Sequence, residues 1–499
     1  MAYISLPDRG QLTFMNKLDD LVSPEHPVRV IDTVVERLVQ ENPGLFALEG
    51  STGTSRTGRP AYPPALMLKL YIYGYLIGVS SSRKLQAEAQ RNIELIWMLN
   101  TQTPDFKTIA DYRKDNGDHI KWATRKLTEF LRDNGYITGQ RLAVDGTKLK
   151  AYTGDQMLTR QKIDDRLNKA HQLLENYLVQ LAQSDQADEQ LEAGYDGQED
   201  DPGKSTGPEA LEEIDRLQRR IAQLEAQKAE LENQQTEKIS PADPEARLMR
   251  SAKVTQPSYN LQIGVDSEHK MIALGRITNE GNDFEQLIPM YNGLTEWLGA
   301  RPKELLADTG YCDLGDIKAI QEQGFTLCYV PENNTVPKKK KIQFTYNPDE
   351  DRYYCSQNRP LERVGKGYYD SEKQAFIETY RGTQCQTCPI QSQCTSAASA
   401  RRSLKVFHGA KWREHYRRQL ASRKGRMLVR QRKALAEHPF GTLKYWMGRI
   451  PLLLRGKDKV QTEIYLYVSA YNVKRLTGCA CFKRIISQIN AYNWKVNLS

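Results

Sequence analysis

The sequence predicts an α/β protein: a mixed sheet preceded by a helical domain and interrupted by two insertions. Three observations lead there. Two short apolar runs, Leu142-Ala143-Val144-Asp145 and Leu305-Leu306-Ala307-Asp308, read as buried strands that stop at an Asp. Strand-like and helix-like patterns alternate from 257 to 335. Two long stretches, one helical and one carrying cysteines, follow neither pattern. The implied division is a helical domain over 1–135 and a sheet core over 136–150, 257–335 and 405–476. A helical hairpin with an acidic linker is inserted at 151–256, a Cys-rich segment at 336–404, and a tail follows at 477–499.

The N-terminal elements come first. Val28 to Leu38 has helical apolar spacing and ends near Asn42-Pro43-Gly44. A Gly/Ser/Thr-rich loop from Gly50 to Pro60 leads to a long apolar helix opening at Arg59-Pro60-Ala61-Tyr62-Pro63-Pro64 and running through Gly78. Ser80-Ser81-Ser82 reads as an N-cap cluster for a helix Lys84–Arg91. Asp105-Phe106-Lys107-Thr108 starts another. Short capped helices with basic residues suit a DNA reader of helix-turn-helix type.

A strand is expected over 139–149. The first insertion then gives an amphipathic helix Asp164–Leu181, a loose acidic stretch Gln183–Pro208, and a second helix Glu209–Glu237. In that helix Leu211, Ile214, Leu217, Ile221, Leu224 and Leu231 follow a coiled-coil-like pattern. The hairpin serves either as a spacer or as a dimer or DNA-end contact. The sheet resumes at Tyr259–Asp266, turns through Ser267-Glu268-His269-Lys270 and returns over Met271–Thr278. Helix Asp283–Leu298, strand Glu304–Asp308, helix Leu314–Gln323 and strand Phe325–Val330 follow. Near the end, Glu463–Leu476 reads as an apolar helix packed on the sheet.

With 499 residues, the chain is long enough for two or three domains. Its net charge of +9 is concentrated: from Arg401 to Lys459 the only acids are Glu414, Glu437 and Asp458. Clustered basic charge is the usual footprint of polyphosphate binding, although it also occurs as a plain solvated surface. No basic-then-apolar leader pattern follows Met1, and no apolar run is long enough to suggest a membrane span. A reducing compartment is expected, so the eight Cys are expected as free thiols.

Asp145, Asp308 and Glu437, the last in a basic helix-like stretch, form a candidate set of three carboxylates. Hard divalent cations take oxygen ligands. Two of them about 4 Å apart can clamp the attacking and leaving oxygens of a phosphodiester. Other acids read as structural: Asp266 as a turn residue, Asp283 as a helix cap, Asp313 and Asp316 at a helix start.

These residues resemble a family, the bacterial insertion-sequence transposases of the DDE type. Asp145, the Ala307-Asp308-Thr309-Gly310-Tyr311 segment and Glu437-His438-Pro439-Phe440-Gly441 stand in the family's order. Glu437 and Lys444 have the six-residue gap of the signature Tyr-x2-Arg-x3-Glu-x6-Lys. Arg430 stands where that signature has Tyr, and Lys433 where it has Arg. The likeness extends from about residue 5 to residue 476. It implies a ribonuclease H-like mixed sheet, with Asp145, Asp308 and Glu437 holding Mg²⁺ (or Mn²⁺) and Lys444 acting on a phosphate. Arg430, Lys433 and Lys444 would contact DNA. It further implies binding of the element's inverted ends, cleavage, and joining of 3′-hydroxyl ends to target DNA. The expected partners are double-stranded DNA and a second copy of the chain on it, in the bacterial cytoplasm and on the nucleoid, with no membrane. A ribonuclease H-like nuclease without strand transfer, or an inactive DNA-binding regulator, are the alternative readings.

Cys355, Cys385, Cys388 and Cys394 form a second constellation. Cys385-Gln386-Thr387-Cys388 is a Cys-x2-Cys knuckle, and thiolates in tetrahedral array favour Zn²⁺. A metal staple suits a small segment poor in apolar residues; four reduced, unligated thiols are the alternative. Cys312, Cys328, Cys479 and Cys481 read as core or tail residues.

Overall fold

The computed structural model describes residues 17–43, 61–154, 157–192, 207–234, 236–251, 254–332, 344–347, 349–370, 375–395, 401–407, 410–443 and 450–495. The whole Gly50–Pro60 loop and Lys444 lie outside the described residues. Among those described, no helix is long and apolar enough to cross a membrane.

Among the described residues six α-helices come first: α1 (Pro27–Glu41), α2 (Pro64–Leu76), α3 (Ser82–Arg91), α4 (Ile93–Met98), α5 (Phe106–Asp115) and α6 (Gly117–Asp133). Their starts follow local chemistry. Pro27 opens α1 where its missing N–H costs nothing, and His26 Nδ1 accepts the Val28 N–H. The Asp105 carboxylate caps α5 by accepting from the Lys107 and Thr108 amides. Helix α2 is apolar on nearly every side and is buried accordingly. Its one charge, Lys69, is held by Asp32 at 2.7 Å and by Glu36.

The main sheet contains β1 (Arg141–Lys150), then, after the insertion, β4 (Arg247–Ser251), β5 (Val254–Asp266), β6 (Ile272–Thr278), β7 (Glu304–Leu306) and β8 (Leu327–Tyr329). Strand β5 lies antiparallel between β6 and β1, while β7 and β8 continue parallel to β1. The crossover helices are α9 (Leu287–Leu298) and α10 (Leu314–Gly324), the latter capped by Asp313 accepting from the Gly315 and Asp316 amides. The sheet is thus mixed, with its parallel half covered by helices, as parallel strands require.

Between β1 and β4 stands a hairpin of α7 (Arg160–Glu192) and α8 (Gly207–Asn233), closed at its base by β2 (Leu158–Thr159) pairing with β3 (Lys238–Ile239). It has its own core, in which Ile163 and Leu167 pack with Ile221, Leu224 and Leu231. Helix α7 runs on to Glu192, so the expected loose stretch beginning at Gln183 is helical for its first part. No Gly or Pro interrupts the sequence before Gly194, and Gln, Ala and Glu are good helix formers.

A second, smaller antiparallel sheet follows: β9 (Phe344–Asn347), β10 (Arg352–Cys355), β11 (Pro360–Asp370), β12 (Ala375–Gly382) and, after the short α11 (Gln391–Cys394), β13 (Ser403–Phe407). The chain closes with α12 (Ala410–Ala421), α13 (Arg423–Gly441), α14 (Lys457–Cys479) and α15 (Phe482–Ala491). Helix α14 is the central pillar: it packs on β6, α2 and α6, with Ile464, Val468 and Tyr471 buried. The C-terminal stretch, uninformative as sequence, is docked. Trp494 is fully buried, its amide donating to Glu41 and its carbonyl accepting from Asn42.

Candidate active site

The strand register brings two of the sequence's candidate acids together. Parallel pairing aligns Ala143 of β1 with Leu306 of β7. Asp145 and Asp308 each lie two residues further on, so they emerge side by side where β7 has ended. The apolar run ends at Asp145 but the strand does not: β1 follows the strand expected over 139–149. It continues to Lys150, because β5 pairs with it along its whole length. What ends near Asp145 is the parallel neighbour, and that opens the edge of β1 to a ligand.

Helix α13 lies over this opening. Ser422 caps it by accepting the Gly425 N–H at 2.9 Å. Leu428 and Leu435 pack on Ala143, Leu306 and Tyr329. Arg432, on the same face between those leucines, is carried to the acids. Its Nη2 is 2.6 Å from Asp145 Oδ1 and 3.5 Å from Asp308 Oδ2. One cation therefore joins both carboxylates. The Arg432 Nε is buried with no hydrogen-bond partner, a donor that a substrate oxygen would satisfy.

Beneath the acids is a polar layer. The Asp283 Oδ1 accepts from Asn260 Nδ2 at 2.8 Å and Gln262 Nε2 at 2.7 Å, and the buried Tyr311 hydroxyl donates to Gln262 Oε1. Asp283 is not a helix cap: α9 begins four residues later, with Gln286 at the cap position. Its carboxylate is turned instead toward Gly146 and Gly310. A Cβ at Gly146 would fall 2.5 Å from Asp283 Oδ1 and 2.6 Å from Gln262 Nε2. Only glycine lets β1 pass this close.

Burial pushes the Asp145 carboxyl up to about 6. Arg432 and the Gly146 amide oppose that shift, and the Asp308 and Asp283 carboxylates add to it. A desolvated carboxylate beside other acids is stabilised by a cation, and the Arg432 guanidinium supplies one to Asp145 here. Asp145 and Asp308 are oxygen donors of the kind a hard divalent ion takes, and both reach the same guanidinium. Among the described residues, however, no three His, Cys, Asp or Glu side chains are gathered closely enough to hold a metal as they stand.

The other sequence candidates fall elsewhere. Glu437 is on α13 but off the Arg432 face; it is exposed and pairs with Lys433 at 3.8 Å. Arg430 is exposed on the same helix with Arg423 and Arg426. His438 packs against the Tyr471 hydroxyl at 3.2 Å. Asp266 is structural: fully buried, it accepts from Thr138 and Gly139 on one oxygen and from the Glu268 amide on the other. The four cysteines 355, 385, 388 and 394 lie in the smaller sheet, away from the acids. Sequence reasoning missed Arg432 and misassigned Asp283. For Arg432 a signal existed: it is the one charge on the apolar face formed by Leu428, Leu435, Ala436 and Pro439.

A cavity of about 670 Å³ lies between the α5–α6 junction and the start of α14 and is lined by none of these acids. It is open and lined by Lys114, Asp118, Lys121 and Asp458 among others. Nothing in it matches the convergence of charge at Asp145.

Comparison with known families gives two matches. The model for a transposase DDE domain matches residues 354–477, and the model for a transposase domain of the DUF772 type matches residues 16–115. The first spans Arg432 and Glu437 but begins after Asp145 and Asp308. No curated protein and no solved structure matches the chain.

Proposed function

We propose a reaction for this chain, which belongs by its two family matches to the insertion-sequence DDE transposases: it binds the inverted ends of its element, cuts the DNA there and joins the freed 3′-hydroxyls to target DNA. The observation that carries this reading is the register of β1 against β7, which sets Asp145 beside Asp308 around one cation. The strand order β6-β5-β1-β7-β8, antiparallel then parallel, supports a ribonuclease H-like core.

In this reading Asp145 and Asp308 would hold divalent metal, and Glu437, exposed on another face of α13, would have to turn toward them to serve as the third acid. Such ions activate the attacking oxygen and stabilise the leaving one. The chain itself supplies position and charge. Arg432 keeps the two carboxylates converged, and its unpaired Nε offers a donor to a DNA phosphate. Asp283, fixed by Asn260 and Gln262, sets the floor under Asp145 and Asp308. The carboxyl of Asp145, pushed up to about 6, gives up its proton just below neutral pH. The exposed Arg423, Arg426 and Arg430 on α13 form a basic rim for the backbone of the substrate. Joining of two ends calls for two copies of the chain on DNA.

The test is cleavage of a supercoiled plasmid bearing the element ends, with Mg²⁺, by the intact chain and by Asp308→Ala. The expected result is nicking or excision at the ends that the variant lacks, with joined products distinguishing strand transfer from simple nuclease action. Tight end binding without cleavage by either protein would overturn the proposal.

A further inference from the structure

Four cysteines with no part in the acid site converge at one end of the smaller sheet. Cys355 ends β10, Cys385 and Cys388 lie in the turn after β12, and Cys394 ends α11. These positions span forty residues of sequence, yet all four side chains line one cavity of about 20 Å³. That is room for a single ion or water and for nothing larger.

The backbone around the cavity is prepared. Arg359 holds the knuckle turn through the Gln384 carbonyl and through the Thr387 hydroxyl and carbonyl, the last two at 2.9 and 2.8 Å. The Cys388 amide donates back to the Cys385 carbonyl at 3.1 Å, closing the Cys-x2-Cys turn. Gly382 has no side chain because Cys385 Sγ occupies the space a Cβ would need. None of the eight cysteines is in a disulfide.

Two further features bear on an occupant, the first on its charge and the second on its role. Arg402 lines the same cavity and donates to the Cys394 carbonyl at 3.0 Å, but its buried Nε has no partner. The sheet's own core is small and rich in tyrosine: Tyr346, Tyr353, Leu361, Tyr380 and Val406. A core of this kind leaves little apolar burial to hold the loops at the cysteine end.

We propose that Cys355, Cys385, Cys388 and Cys394 bind one structural Zn²⁺ ion that staples this end of the sheet. A set of four thiolates with no open position is the ligand set of a structural zinc site, and soft sulfur donors disfavour magnesium or calcium. The four sulfurs line the cavity without yet forming a closed set. Closing it requires the thiols to turn toward the cavity they already line. Binding converts four thiols and Zn²⁺ into a tetrathiolate complex of net charge −2 and releases four protons. The affinity therefore rises with pH. Arg402 offsets the negative charge through the N–H that is now unpaired. The site lies far along the chain from Asp145, but Arg418 of α12 donates to the Tyr346 carbonyl at 3.0 Å, so the stapled sheet is tied to the helix pair that carries Arg432.

The test uses the full chain, purified without chelator. One zinc per chain is expected, released by a thiol-specific mercurial and recorded with a metallochromic dye. Replacement by Co²⁺ is expected to give the intense visible bands of a tetrahedral site and a sulfur-to-cobalt charge-transfer band. Cys388→Ser should lose both zinc and the cobalt spectrum, while Cys479→Ser/Cys481→Ser keeps them. If Cys388→Ser does not fold, the cobalt spectrum of the parent decides. Overturning results are a parent chain with neither zinc nor a cobalt–thiolate band, iron with the absorption of an iron–sulfur cluster in place of zinc, or loss of the metal from the Cys479/Cys481 variant.

Discussion

Arg113 and Glu463 offer the sharpest test of how the N-terminal helices are joined to the rest of the molecule. They lie in the two separate family-matched regions, on α5 and α14, and are almost wholly buried, at 5% and 0% exposure. Arg113 Nη1 is 3.4 Å from Glu463 Oε1 and also donates to the Tyr75 hydroxyl at 3.1 Å and the Ser80 carbonyl at 3.0 Å. Glu463 accepts the Leu453 amide at 2.9 Å. At an effective dielectric of about 20, two unit charges at that separation attract by roughly 5 kcal/mol. Breaking a buried pair by removing one charge costs about 3–5 kcal/mol, because the other stays buried alone. Glu463→Gln keeps the shape and removes the charge, so a loss of about 3–5 kcal/mol is expected. Arg113→Met should cost a similar amount. The double change Arg113→Met/Glu463→Gln leaves no stranded charge and should cost less than the sum of the two single losses by about 3 kcal/mol. Urea denaturation followed by tryptophan fluorescence reads all three. Single variants within about 0.5 kcal/mol of the parent, or a double variant that is simply additive, would refute the reasoning.

Asp145→Asn carries a pH signature. Because the folded carboxyl is raised to about 6, chiefly by burial, folding favours the protonated acid. The stability it contributes is complete below the unfolded value of about 4 and is lost as pH rises through about 6. A shift of two units corresponds to at most about 3 kcal/mol. The variant should thus be more stable than the metal-free parent near pH 8 and no more stable near pH 4, and urea midpoints at the two pH values check the sign. On α13, Arg432→Gln should lower end cleavage by roughly 10- to 100-fold, since a charge-assisted hydrogen bond is worth about 1.5–3 kcal/mol. The neighbouring Lys433→Gln, which breaks only an exposed pair, should change it by about twofold or less. A greater loss in the Lys433 variant would count against Arg432 as the group that converges the acids.

Local chemistry sufficed to read much of this chain. Apolar runs ending in Asp-Gly and Asp-Thr-Gly marked the segments of Asp145 and Asp308; at Asp308 the strand ends and the carboxylate accepts the Gly310 amide, whereas at Asp145 β1 continues. Helical periodicity marked α1, α8 and α14, and Asp105 and Asp313 marked helix starts through their capping oxygens. These signals lie within a few residues of what they specify. The helix boundaries were less legible: α7 ran past its apolar stripe because nothing in Gln183–Glu192 breaks a helix.

What only the tertiary structure decided depends on register and on faces. Ala143 lies opposite Leu306 because a parallel crossover of more than a hundred residues returns there, and no local pattern fixes that alignment. It makes neighbours of Asp145 and Asp308. Arg432 and Lys433 are adjacent in sequence, but a helix turns about 100° per residue. Packing of Leu428 and Leu435 on the sheet aims the first at the acids and leaves the second with Glu437 in solvent. Asp283 looked like a cap until the fold showed Asn260, Gln262 and Gly146 around it. The sequence by itself therefore determined which candidate side chains this protein carries, and the long-range pairing of strands and the seating of α13 decided which of them meet.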